Sequence, residues 1–173
     1  MAKIPEPLDT IEQYCRQEAD TAELAQRFAF SIRKGLELNP KSHLNIALEG
    51  DLGAGKTTFA RYLIQGLGYA GKVKSPTYTL CEPYPLQADN TQYSVHHFDL
   101  YRMRDPLEWQ EAGFAEYFDV PGFCLIEWPE KAEGSLPPFD IEIALKAGKD
   151  ESERAIKISA LSEQGLALLK SIA

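Results

Sequence analysis

Gly50, Gly55, Lys56 and Thr57 stand in the order G-x-x-x-x-G-K-[ST], inside the stretch LEGDLGAGKTTFARYLIQGLG at residues 48–68. These residue types at this spacing are suited to holding phosphate. Glycines let the backbone curl closely and turn several N–H groups inward. A helix opening beside Gly55 adds the positive end of its dipole. Lys56 can then reach the β- and γ-phosphates, and the Thr57 hydroxyl can ligate Mg²⁺. The expected phosphate cradle is Asp51, Leu52, Gly53, Ala54, Gly55, Lys56, Thr57 and Thr58.

Such a loop works only between a buried strand and a helix. Upstream, LNIALEG places Leu44, Ile46 and Leu48 in alternation, which predicts a short buried strand. Downstream, Phe59, Ala60, Leu63, Ile64 and Leu67 recur at helical spacing, with Gly66 and Gly68 ending the helix. Both flanks therefore agree with the motif.

A phosphate loop also needs a second carboxylate to organise Mg²⁺, at the end of a neighbouring buried strand. Two acids qualify. Glu127 ends the apolar run Phe123–Cys124–Leu125–Ile126, and Asp99 ends SVHHFD. One would serve the metal and the other would orient or deprotonate the attacking water; spacing leaves the division open. Trp128 is a candidate nucleotide contact. In SPTYT, Thr77 is a candidate sensor of the γ-phosphate, with Ser75 and Thr79 competing. Arg102 and Arg104 follow Asp99 and are candidate charge stabilisers. His96 and His97 are adjacent, so on a strand they face opposite sides and cannot share a metal; packing is the expected role of at least one. No N-K-x-D segment supports guanine specificity. DVPG, residues 119–122, precedes its apolar strand and reads as a turn.

The rest of the chain supplies the frame. TIEQYCRQ alternates and reads as an edge strand. DTAELAQRFAFSIRKGLELNP reads as a helix capped by Asp20 and Glu23, with a stripe of Leu24, Ala25, Phe28, Ile32 and Leu36. A strand is predicted from Tyr78 and a second over residues 93–100, joined as a hairpin through QADN. Asp105 and Pro106 open a short helical segment. GFCLIEWPE is a buried strand, FDIEIAL and RAIKISAL form a hairpin, and SEQGLALLKSIA closes the chain as a helix. About seven strands and at least four helices predict a single α/β domain over residues 1–173, with a loose segment at 1–9 and a mixed central sheet.

Composition sets further bounds. The net charge of −8 argues against general nucleic-acid binding, which needs clustered lysine and arginine. Apolar content of 44% is that of a globular chain, and no run is long enough for a membrane span. Cys15, Cys81 and Cys124 lack metal-ligand spacing and read as free thiols of a reducing compartment. MAKIPEPLDT has no apolar signal region, so the expected location is the cytoplasm.

Four segments taken together, LEGDLGAGKTTFAR, SPTYTL, HHFDLYR and LIEWPE, resemble the TsaE (YjeE) family, the small ATPase of bacterial tRNA threonylcarbamoyladenosine biosynthesis. The similarity covers roughly residues 21–145. It implies a P-loop NTPase-like three-layer fold with a mixed sheet, ATP or ADP and Mg²⁺ as ligands, and weak hydrolysis by the protein alone. It also implies the TsaB–TsaD heterodimer as partner, which with TsaC makes the modified adenosine next to the anticodon. By resemblance Thr57 and Glu127 map to the Mg²⁺ site, Asp99 to the acid of H-x-D-x-Y-R, and Ser75 and Thr77 to the switch-like loop. His97, Tyr101 and Arg102 complete the H-x-D-x-Y-R match. The inserted YPLQADNTQ and the N-terminal MAKIPEP have no counterpart in these motifs. Two other classes fit the phosphate loop: a kinase of a small acceptor, and a nucleotide-switched binding module without catalysis.

Overall fold

A computed structural model describes residues 6–76, 78–88 and 90–172. Thr77 of the expected switch loop lies outside them. One sheet contains strands β1 (Asp9–Cys15), β2 (His43–Glu49), β3 (Cys81–Ala88), β4 (Thr91–Asp99), β5 (Gly122–Glu127), β6 (Ile141–Ala147) and β7 (Arg154–Ala160). Their order across the sheet is β1-β7-β6-β2-β5-β4-β3. The centre is parallel: β2 lies between β5 and β6, and β4 continues beyond β5. Both margins are antiparallel, β3 on β4 and β7 between β6 and β1. This is the mixed α/β architecture expected.

Alternation along the strands decides which side chains meet which layer. Ile46, Leu48, Val95, Phe123 and Leu125 point to one face and pack under α1 (Glu18–Leu38), α2 (Lys56–Gly66) and α4 (Glu163–Ile172). Phe98, Cys124 and Ile126 point to the other face. They pack under the short α3 (Glu108–Glu111) and 3₁₀ turns at Phe114–Phe118 and Pro129–Ala132. Every residue of β5 is buried, because it is covered on both faces and paired on both edges. The stripe Leu24, Ala25, Phe28, Ile32 and Leu36 of α1 is buried as its periodicity predicts. No described helix is long and apolar enough to cross a membrane.

Some boundaries differ from the sequence expectation. α1 begins at Glu18 with Gln17 as its cap residue, so Asp20 stands inside the first turn. Its carboxylate accepts instead from the Arg16 N–H at 3.1 Å. The first strand of the hairpin starts at Cys81, not Tyr78: the Leu80 N–H donates back to the Pro76 carbonyl, and Leu80 adopts φ 65°. The turn takes up the Leu80 N–H, and only the Leu80 carbonyl bonds across to β4, accepting from the Asp99 N–H at 3.0 Å. The second strand runs Thr91–Asp99 rather than over residues 93–100. The pairing Ala88↔Thr91 leaves only residues 89 and 90 between the strands, so most of the insert becomes sheet. Asp105 does accept from the Leu107 N–H at 2.8 Å, but α3 starts only at Glu108.

Candidate functional site

The carboxyl ends of β2, β4 and β5 lie side by side, and the loop after β2 arches over them into α2. Open α/β sheets present ligand sites at this end. Two glycines permit the arch. A Cβ on Gly50 would stand 2.5 Å from the Leu145 carbonyl oxygen, and Gly55 holds φ 102° at the entrance to α2. Side chains are excluded from both places, as a close backbone wrap requires.

Lys56, Thr57, Ser75, Asp99, Tyr101, Arg102, Glu127, Trp128 and Arg154 line one cleft of about 450 Å³ with the loop residues Leu52, Gly53, Ala54, Gly55 and Thr58. Most of the expected residues are therefore brought together from four separated segments; Asp51, Thr79 and Arg104 do not line the cleft, and Thr77 lies outside the described chain. Lys56 is only 5% exposed. Its ammonium donates to the Gly50 carbonyl and to the Asp51 carbonyl, the latter at 3.0 Å. The Trp128 ring covers it at 4.1 Å. Burial pushes the Lys56 ammonium below the usual lysine range, opposed by the carboxylates of Glu127, Glu130, Asp99 and Asp51.

The parallel register sets Asp99 directly opposite Glu127. Both carboxylates belong to the α2 face, since Leu125 and Val95, two and four residues back, pack there. The Thr57 hydroxyl lies 3.0 and 3.1 Å from the two oxygens of Glu127. The Ser75 hydroxyl donates to one Asp99 oxygen, and the Tyr101 N–H donates to the other at 3.1 Å. Arg102 is exposed and lies over the Tyr78 ring at 5.0 Å. Trp128 adopts φ 59°, a conformation unusual for a bulky residue, and this turns the chain so that its ring leans on both Lys56 and Tyr101.

From sequence, Arg154, which lines the cleft, has no assigned role, and His97, which lies against Glu127, has none in the site. Arg154 opens β7, about 100 positions from the loop, yet its Nε donates to the Ala54 carbonyl at 2.7 Å. A loop that turns its N–H groups inward turns carbonyls outward, and Arg154 supplies the donor one of them needs. Nothing local in RAIKISAL signals this. His97 is the other. The two histidines do face opposite ways: His96 stacks on Tyr117 at 4.1 Å, and His97 lies 2.6 Å from Glu127. The period-two pattern foretells the split but not the partner.

A family model described as "Threonylcarbamoyl adenosine biosynthesis protein TsaE" matches residues 15–156. The chain belongs to the TsaE family. A TsaE relative from Haemophilus influenzae, a tRNA threonylcarbamoyladenosine biosynthesis protein, is 42% identical over 134 residues, covering 78% of this chain and 80% of its own. A TsaE relative from Rickettsia felis is 35% identical over 142 residues, covering 82% and 75%. Among solved structures, the crystal structure of Bacillus subtilis YdiB superposes with a TM-score of 0.72 at 29% identity, covering 95% of this chain and 94% of that one. All residues lining the cleft fall inside the TsaE match, Arg154 included. The β3–β4 hairpin lies inside it too.

Proposed function

We propose that this chain is a Mg²⁺-dependent ATPase needed for tRNA threonylcarbamoyladenosine formation, acting on a TsaB–TsaD pair. The observation that carries the reading is the meeting of Thr57 with Glu127. A hydroxyl at the start of α2 and a carboxylate at the end of β5, 70 positions apart in sequence, converge at 3.0 Å beside the glycine loop. The donor set suits the metal: both groups offer oxygen, which hard cations prefer. Thr57 and Glu127 would hold Mg²⁺, which when bound neutralises phosphate charge and polarises the bond to be broken.

The protein's own groups account for the remaining work. Among the described residues Lys56 is buried and bonded to loop carbonyls under a ring face, so its amino group is available to exchange those partners for phosphate oxygens. The cradle of residues 51–58 offers N–H groups and the helix dipole to the same anion. Asp99, held by Ser75 and the Tyr101 N–H, is the acid left to orient water. Arg102, at the cleft mouth, is the candidate for charge developing on the transferred group. Beside the loop a second hollow of about 620 Å³, bounded by Thr21, Thr58, Leu145 and the β6–β7 turn, has room for the nucleoside. Its walls carry no guanine-reading motif, so adenine is accepted by packing and backbone contacts.

The test is a partner assay with TsaB and TsaD, comparing ATP with a non-hydrolysable analogue and following both phosphate and modified tRNA. Free phosphate and loss of sustained modification with the analogue are expected. A phosphorylated small molecule as product would move the protein to the kinases, and full activity with the analogue would leave a binding module without catalysis.

A further inference from the structure

We propose that His97 is a positioning residue for Glu127: it holds one carboxylate oxygen and so fixes the carboxylate in its orientation toward the Thr57 hydroxyl. The inference rests on the nucleotide-hydrolysis reading above and deepens it. His97 lies on β4, is 0% exposed, and has its Nε2 2.6 Å from Glu127 Oε2. Glu127, on the adjacent strand, is itself only 2% exposed. A carboxylate only accepts, so the hydrogen of this bond sits on Nε2. Among the described residues Nδ1 has no hydrogen-bond partner, and it is fully enclosed. With the hydrogen on Nε2 the ring meets the carboxylate and leaves at Nδ1 an unpaired acceptor rather than an unpaired donor.

The geometry also separates this histidine from a packing residue. The imidazole is fixed by a strand whose register is set on both edges, by β3 and by β5. Its backbone is therefore held in place, and the ring, 0% exposed, is enclosed by its neighbours. Glu127 is joined to a long, flexible stem, and its terminal torsion is broad on its own. Oε2 receives the His97 N–H and also lies 3.1 Å from the Thr57 hydroxyl, while Oε1 lies 3.0 Å from that same hydroxyl, so the carboxylate faces Thr57 with both oxygens while His97 holds one of them. Ligating carboxylates are commonly oriented by such a donor behind them. His97 touches neither the cleft nor the nucleotide cradle, so its action passes through Glu127.

The experiment compares His97→Leu, which keeps bulk and removes the donor, with His97→Gln, which returns an N–H at similar reach. Three measurements are made: partner-stimulated kcat and KM for ATP, binding of Mn²⁺ to the ADP complex by electron paramagnetic resonance, and metal-free ADP affinity. His97→Leu should weaken Mn²⁺ binding and lower kcat by about 10- to 100-fold each. Metal-free ADP affinity should stay within about 3-fold, and His97→Gln should recover most of both losses. On a Glu127→Gln background His97→Leu should add little further loss, because the two act as one unit. Unchanged Mn²⁺ binding and kcat in His97→Leu would overturn the proposal. So would a lowered melting temperature without any shift in Mn²⁺ binding, or full additivity with Glu127→Gln. If His97→Leu does not fold, His97→Gln and His97→Asn decide alone: Mn²⁺ binding kept in His97→Gln and lost in His97→Asn, whose shorter amide falls short of the Nε2 position, supports the role, and equal Mn²⁺ binding in the two overturns it. A wild-type protein that binds no Mn²⁺ with ADP would remove the hydrolysis reading and this inference with it. Loss in Glu127→Gln with none in His97→Leu would remove the inference only.

Discussion

Alternate residues of β4 and β5 meet two different worlds. On the α2 side, His97, Asp99 and Glu127 end their strands as buried polar groups, each hydrogen-bonded to another side chain or to backbone. On the other side, Phe98 sits between Phe114 and Phe118, with ring centroids 5.6 and 5.3 Å away, above Cys124 and Ile126. One backbone carries both because side chains alternate. The difference teaches a division of labour: the aromatic face holds the strands in place, and the polar face uses that rigidity to keep two carboxylates at fixed positions. Buried acids tolerate this only while their hydrogen bonds are kept.

The comparison breaks first at Phe98. Phe98→Ala removes a fully buried ring, and such truncations cost about 3–5 kcal/mol. Chemical denaturation should show a loss of that size, whereas a loss under about 1 kcal/mol would mean the aromatic layer does not hold β4. Lys56→Ala tests the opposite face. Partner-stimulated ATP turnover should fall by at least about 100-fold, while the melting temperature changes little, because its bonds are only to loop carbonyls. A folded Lys56→Ala protein with normal turnover would dismiss the cleft as the nucleotide site.

Glu127→Ala and Asp99→Ala sharpen the contrast further. Each should slow hydrolysis about 100-fold with partners present while ADP affinity stays within about 3-fold, since such acids act chiefly in the transition state. Parallel measurement of kcat and the ADP dissociation constant decides it. An equal loss in both quantities would make them binding groups instead.

The smallest effect comes from the far side of β2. Glu49 follows Ala47 on the face away from α2, and Glu142 of β6 stands in register with Ala47. Burial first, then the charge of Glu142, raises the Glu49 carboxyl to about 7. A group whose folded pKa is raised adds stability below its unfolded pKa, and this is lost as pH rises through about 7. Glu49→Gln should therefore raise stability at pH 8, by about 1 kcal/mol given partial solvation, and change it less at pH 5. Thermal melts that shifted equally at the two pH values would show that neither burial nor Glu142 raises the Glu49 carboxyl.

Much of this protein was legible in its sequence. The glycine loop, its strand and helix, the buried run ending in Glu127, and both hairpins are local patterns, each set by residues within one element. Where local signals competed, the reading slipped: the β-favouring Tyr78 lies in a turn because Leu80 bonds back to Pro76. The four-motif resemblance reached the family, which the match over residues 15–156 bears out.

Tertiary structure alone decided the rest. Alternation states that His96 and His97 diverge, but only the placement of β4 against β5 gives His97 to Glu127 and His96 to Tyr117. Alternation allows Asp99 and Glu127 to share a face, but only the parallel register sets them opposite one another. Arg154 reaches the Ala54 carbonyl because β7 folds back along β6, a fact held by neither segment by itself. The physical reason is the same each time. Periodicity is a property of one strand, whereas register and strand order arise from contacts between residues far apart in the chain. Their outcome depends on which faces can be buried together.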